Sequence, residues 1–355
     1  MSNDSSCAGA SERGLSLDAT TPRVDWHAEL HYDGRMPASR ARAFPRQAPL
    51  SYVLVAAALF ATAPGAADER FSFRRLDTGD GLSGDSVYCM LQDRLGYLWL
   101  GTFSGLSRYD GSRSVVYRPV PGDPESLPSS LIFDMHEDGM GTLWIATDGG
   151  GLARYSRDSD AFERFLHDSA DPASPGSDRV FAVADDPFGW IWVGTADAGI
   201  DRLDTVTGAF RHYRTGGGLP SDTVRSLLCD SAGRLWAGTA AGLARYDRER
   251  DAFEPVTSTG SATVRALMEA PDGSILVGTE GTGAFRLDAS GRPDGDPGRL
   301  TAARVPLGAG SDSLLVRAFT IDLSGRLWVG TDDRGIRLIG RSEERRVGKE
   351  CRSRW

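Results

Sequence analysis

The sequence predicts an all-β fold, a β-propeller of four-stranded blades, on three observations. A short apolar strand ending in Gly-Thr or a close variant recurs six times: Leu98-Trp99-Leu100-Gly101-Thr102, Leu143-Trp144-Ile145-Ala146-Thr147, Ile191-Trp192-Val193-Gly194-Thr195, Leu235-Trp236-Ala237-Gly238-Thr239, Ile275-Leu276-Val277-Gly278-Thr279 and Leu327-Trp328-Val329-Gly330-Thr331. A turn containing Asp and Gly precedes each copy. Measured at the Gly or Ala, the copies lie 45, 48, 44, 40 and 52 residues apart, the period of propeller blades rather than of helical solenoids.

The fourth copy gives the template for one blade. Thr223 to Cys229 reads as the first strand, Asp230-Ser231-Ala232-Gly233 as a turn, and Arg234 to Thr239 as the second strand. Ala241-Gly242 turns into a third strand, Leu243 to Tyr246, and a polar turn from Asp247 to Asp251 leads to the fourth, Ala252 to Val256. The Asp-x-x-Gly turn supplies a side chain that bonds its own backbone and a residue free to take positive φ. Side chains alternate along a strand, so Leu235 and Trp236 point to opposite faces and the sheet is apolar on both. Such a sheet has to be covered on both sides by neighbouring blades. Trp99, Trp144, Trp192, Trp236 and Trp328 are therefore core residues, and Gly101, Gly194, Gly238, Gly278 and Gly330 are expected to admit a neighbouring backbone or a Trp ring. Ala146 shows that this space is small without being restricted to Gly.

Repeats begin near Leu82, Leu127, Ser177, Leu219, Ser261 and Ser311, with fourth strands near Val115, Phe162, Phe210, Phe253 and Val305. The fifth copy is worn, carrying Leu276 in place of Trp, and Ala289 to Gly298 reads as a long polar loop. The sixth is expected to stop at Ile339 without an outer strand, so the propeller of residues 68–340 reads as incomplete, six repeats of a seven-bladed or larger ring. Open edges at both ends predict that residues 68–355 aggregate or are degraded when expressed; a soluble, cooperatively melting monomer would overturn this.

Both ends of the chain differ from the repeats. Arg40, Arg42 and Arg46 precede an apolar run from Leu50 to Phe60, followed by the small residues Ala61, Ala63, Gly65, Ala66 and Ala67. Residues 36–67 thus read as a signal peptide starting at Met36, and residues 1–35 as a mis-annotated or disordered extension. At the other end, Lys349 is the single Lys of the chain, and residues 341–355 resemble a translated sequencing adapter.

The 355-residue chain carries 40 basic and 49 acidic residues, a net charge of −9. Residues 341–355 hold six of the basic and three of the acidic residues, so residues 1–340 carry 34 minus 46, or −12, and without a basic cluster they are a poor candidate for nucleic acid or an anionic membrane surface. Of its four cysteines, Cys89 and Cys229 lie within the repeats, on well-separated blades, beyond the reach of a disulfide.

The phrase Asp-x-x-Gly-x-Leu-Trp-x-Gly-Thr, followed by Gly-Leu and Arg-Tyr-Asp, resembles the two-component regulator propeller repeat. Asp93 to Thr102 with Gly105-Leu106 and Arg108-Tyr109-Asp110 carries the resemblance, as does Phe71-Ser72-Phe73-Arg74-Arg75-Leu76 leading into Asp80-Gly81-Leu82-Ser83. It extends over residues 71–339. It implies the periplasmic region of an inner-membrane sensor, in most members a histidine kinase and in some a diguanylate cyclase. It further implies a C-terminal propeller, a β-sandwich and a kinase region in the same chain, and a dimer formed through them.

No arrangement suited to catalysis, a metal or a cofactor is legible. His27 and His31 lie in the leader, and His136, His167 and His212 are scattered among repeats without ligand spacing. His136, beside Glu137 and Asp138, reads as a solvated turn residue. Gly149-Gly150-Gly151 and Gly216-Gly217-Gly218 are followed by neither a helix nor a Lys and read as turns. Acidic residues recur after the Gly-Thr strand at Asp148, Asp197, Glu280, Asp332 and Asp333, and equivalent blades place them on one face. They are the candidate ligand-binding residues, for an extracellular small molecule or oligosaccharide. A secreted propeller acting alone on carbohydrate or protein is the alternative reading.

Overall fold

The computed structural model describes residues 75–289, 300–308, 313–332, 334–339 and 344–346. The expected leader and signal peptide, Asp333 and most of the basic tail lie outside the described residues. Six four-stranded antiparallel sheets, each a simple meander, follow one another as the blades of a propeller. Their first strands are Val87–Gln92, Ile132–Glu137, Val180–Asp185, Val224–Cys229, Val264–Glu269 and Val316–Ile321. These strands touch in chain order, each blade's first strand against the next. In the fourth blade all four strands lie within a residue of the template: Val224–Cys229, Leu235–Thr239, Gly242–Asp247 and Ala252–Val256.

Among the described residues the core is five apolar clusters, and each fills one interface between successive blades. Trp99 packs with Ile132, Leu143, Ile145 and Tyr155 of blade 2, and Trp144 with Val180, Ile191 and Val193 of blade 3. Trp192 packs with Leu235, Tyr246 and Phe253 of blade 4, and Trp236 with Val264, Ile275 and Val277 of blade 5. Leu276 occupies the same place against Val316 and Val329 of blade 6. Leu235 and Trp236 thus serve opposite interfaces, as alternation requires. A buried aromatic ring removes on the order of 200 Å² from water, roughly 5 kcal/mol by area. The blades are held by this chain of plugs.

The glycine of the repeated phrase makes room mainly for side chains. A Cβ on Gly101 would lie 2.6 Å from Ile132 Cγ2, and on Gly194, Gly238 and Gly278 it would lie 2.7 Å from Val224, Val264 and Val316 Cγ1. The neighbour from the next blade is the β-branched residue that opens its first strand; at Gly238 the Val264 backbone carbonyl is also met, at 3.0 Å, and at none of the four is a Trp ring. The final Thr is explained as well: its hydroxyl donates to the carbonyl of the Gly opening the third strand, as from Thr239 to Gly242 at 2.8 Å.

The turn Asp does more than close its hairpin. In blade 4, Asp230 Oδ1 accepts from the backbone of Ala232 and Arg234, and Oδ2 accepts the indole N–H of Trp236 at 2.8 Å. The same bond runs from Trp99 to Asp93, Trp144 to Asp138, Trp192 to Asp186 and Trp328 to Asp322. Blade 5 lacks both partners, with Ala270 at the Asp position and Leu276 at the Trp position.

One expectation is corrected. Blade 6 has an outer strand, Glu344–Arg346, paired with Arg337–Ile339 and lying inside the segment read as foreign to the fold. The free edge of a third strand presents a row of unpaired N–H and C=O groups, which the next extended residues satisfy.

Candidate functional site: the mouth of the central channel

Every first strand carries a register shift at the same place, two residues into the strand. The residues left out of the ladders are Tyr88, Phe133, Phe181, Arg225, Arg265 and Arg317. A bulge of this kind re-aims one side chain out of the sheet. All six line one central cavity of about 100 Å³. Blades 1 to 3 supply aromatic rings to it, and blades 4 to 6 supply guanidinium groups.

The aromatic half is interlocked. Tyr88 and Phe133 meet edge to face at 5.4 Å between ring centres, and Phe133 and Phe181 at 4.8 Å. Phe181 then bridges to the other half, with the Arg225 guanidinium 4.4 Å from its ring centre. Asp134 also lines the cavity, and its carboxylate accepts from the backbone N–H of Met135 and Val183. Burial pushes this carboxyl up to about 6, against the hydrogen bonds from Val183 and Met135 that favour its charge.

The three arginines are not equivalent. Arg265 makes a forked pair with Glu280 at 2.9 and 3.3 Å, and Arg317 one with Asp332 at 2.6 and 3.1 Å. In both, the acid stands 15 residues beyond the arginine. The same step from Arg225 reaches Ala240. Arg225 has no carboxylate partner among the described residues, and its Nε is buried without a hydrogen bond. Burial, then the like charges of Arg265, Arg179 and Arg317, lower its affinity for a proton, with Glu280 opposing.

Among the acids expected to bind ligand, Glu280 and Asp332 thus neutralise channel arginines, while Asp148 pairs with Arg179 at 3.0 Å and Asp197 approaches it at 3.8 Å. Asp333 lies outside the described residues. Sequence reasoning missed the six bulge residues, although each stands 13 positions before the repeat Gly or Ala, as Arg225 before Gly238.

The remaining polar candidates are structural. His136 is in a first strand, not a turn, and its Nε2 lies 2.8 Å from Asp185 of the next blade. His212 is held by Asp201 at 2.7 Å, which raises its proton affinity against burial. Burial pushes the Cys89 thiol well up and the Cys229 thiol to about 12, so neither is poised as a nucleophile. Among the described residues no group of three His, Cys, Asp or Glu is placed to hold a metal ion. On the rim, Asp160 and Asp251 take positive φ, 53° and 50°, and accept from paired tyrosines, Tyr117 with Tyr155 and Tyr213 with Tyr246. These are latches between blades 1 and 2 and between blades 3 and 4.

Known proteins share the fold or stretches of the sequence. A profile described as two component regulator propeller matches residues 81–104, 126–149 and 218–241. A relative named histidine kinase P4, from Formosa agariphila, is 40% identical over 62 residues, 18% of this chain and 4% of its own length. The extracellular domain of a B. thetaiotaomicron protein described as a hybrid two component system superposes with a TM-score of 0.59 at 22% identity, over 76% of this chain and 34% of that one. Virginiamycin B lyase from Staphylococcus aureus has the same fold, with a TM-score of 0.55 at 16% identity over 73% of this chain and 83% of that one. This chain therefore spans a small part of its sensor-type relatives. Three segments of the chain thus match the two-component regulator propeller repeat, and the same phrase recurs in three further copies.

Proposed function

We propose that this propeller is the extracytoplasmic ligand-sensing region of a two-component sensor, the parent protein being a membrane histidine kinase. The observation that carries the reading is the repeat itself, matched by the two-component regulator propeller profile and shared in part with a histidine kinase. The basic, apolar and small-residue order of residues 36–67 supports export to the periplasm. Among the described residues no helix is long and apolar enough to cross a membrane, so on this reading the anchor belongs to another part of the parent. A ligand that favours one arrangement of the sensor's domains would shift the kinase equilibrium by its differential affinity for the two states.

Two measurements test this. Reading the genomic locus beyond codon 340 is expected to show a membrane helix followed by kinase motifs; a stop codon soon after one propeller would sink the proposal. Alkaline phosphatase fused after residue 340 is expected to be active in cells, and loss of that activity on deleting residues 36–67 would trace export to that segment.

A further inference from the structure

The channel mouth holds one arginine without a paired carboxylate, since the fourth charged group that lines it, Asp134, is engaged by the backbone N–H of Met135 and Val183. Two of its three arginines carry their own carboxylate, whereas for the third, Arg225, the offset at which blades 5 and 6 have an acid is held by Ala240. Its Nε is buried with no hydrogen-bond partner, a state that proteins generally avoid because an unsatisfied buried donor is destabilising. A guanidinium is a planar fork matched to an oxyanion, and it forms its strongest pairs where water is excluded. Beside it stand the faces and edges of Phe181 and Phe133, which suit a ring more than a chain. The cavity of about 100 Å³ admits the charged head and one ring of a ligand.

We propose that the mouth of the central channel binds a small ring-bearing carboxylate, with Arg225 holding the carboxylate and Phe181 and Phe133 holding the ring. The inference names the ligand class of the sensor proposed above and rests on that reading only for its biological use. Binding to the chain itself is a separate question: a chain that binds the acid but belongs to no membrane kinase would leave the site standing and remove the sensor.

The test is equilibrium dialysis of the full chain against radiolabelled benzoate and glucuronate, with benzyl alcohol, glucose and inorganic phosphate as controls. One of the two acids is expected to bind at least about tenfold more tightly than its neutral counterpart, and which one does so separates an aromatic acid from an acidic sugar. Arg225→Gln is expected to weaken binding at least about tenfold, and Ala240→Glu to do the same by supplying an internal carboxylate like Glu280. Far-ultraviolet circular dichroism and a thermal melt confirm that each variant folds. If Arg225→Gln does not fold, Ala240→Glu carries the comparison, and the contrast of acid with neutral compound on the unmodified chain needs neither. Equal binding of acid and neutral compound, binding of phosphate alone, no binding of either acid at about 10 mM, or unchanged binding in both folded variants would each overturn the proposal.

Discussion

Blades 4 and 6 carry nearly the same phrase, Leu235-Trp236-Ala237-Gly238-Thr239 and Leu327-Trp328-Val329-Gly330-Thr331. Their local bonds agree closely. The indole donates to the turn Asp at 2.8 Å in one and 2.9 Å in the other, and the Thr hydroxyl reaches its Gly carbonyl at 2.8 Å in both. Their surroundings differ. Trp236 is fully buried against blade 5, whereas Trp328 is partly exposed. A Cβ on Gly238 would strike Val264, whereas one on Gly330 would meet only Ala318 of its own blade, at 3.7 Å. The phrase specifies the hairpin, and the following blade supplies the stability.

Truncation should break this symmetry most sharply. Trp236→Ala is expected to cost about 3–5 kcal/mol and Trp328→Ala no more than about half as much, read by pulse proteolysis in urea at low protein concentration. Equal costs would mean that the interface with blade 5 contributes little.

The next contrast is electrostatic. The position after the bulge is Asp134 in blade 2 and Ala318 in blade 6. Because the folded carboxyl of Asp134 titrates near 6, above its ordinary value of 3.8, the folded state holds the extra proton between those values. This contribution is complete below about pH 4 and is lost as pH rises through about 6, a loss of up to roughly 3 kcal/mol. His212, with its raised proton affinity, adds a loss of the same sign at higher pH. Relative to Asp134→Asn, the urea midpoint of the unmodified chain is expected to fall from pH 4 to pH 7; an identical pH dependence in the two would remove Asp134 as a source.

Adding one methyl group gives a smaller effect. Gly238→Ala is expected to cost about 1–3 kcal/mol by overpacking against Val264 and Ser226, and Gly330→Ala less than about 0.5 kcal/mol. Matching midpoints for the two variants would show that the socket relaxes freely. Smallest is the coupling between Asp230 and Trp236, expected at about 1–2 kcal/mol in a double-mutant cycle with Asp230→Ala and Trp236→Leu. Additive losses would mean that the indole N–H finds another acceptor.

Much of this architecture is readable from the residues because blades are local. Strands of blade 4 fall within a residue of their expected bounds, since turn chemistry and alternation act over four to six positions. The glycine socket was not readable, because its occupant, Val264, lies a blade away and nothing in the strand names it. The channel escaped for a related reason. A period-2 reading assumes an unbroken ladder, and the bulge that frees Arg225 is a property of pairing with the next strand. His136 was misplaced because its acidic neighbours suggest a turn, while its partner Asp185 belongs to another blade. The acids after the Gly-Thr strand are visible in the sequence, but the arginines that pair with two of them, Arg265 and Arg317, stand 15 residues earlier on another strand, beyond any local pattern.

The bond between the turn Asp and the Trp also bears on how such repeats age after duplication. Asp230 without an indole would still close its turn through Ala232 and Arg234. An indole without Asp230 would leave a buried N–H with no acceptor, a loss of about 1–3 kcal/mol. Descent from Asp and Trp to the Ala270 and Leu276 of blade 5 is therefore easier in one order, with Trp replaced first and Asp released afterwards. Intermediates that keep the Asp beside a Leu should be found among drifting copies more often than the reverse.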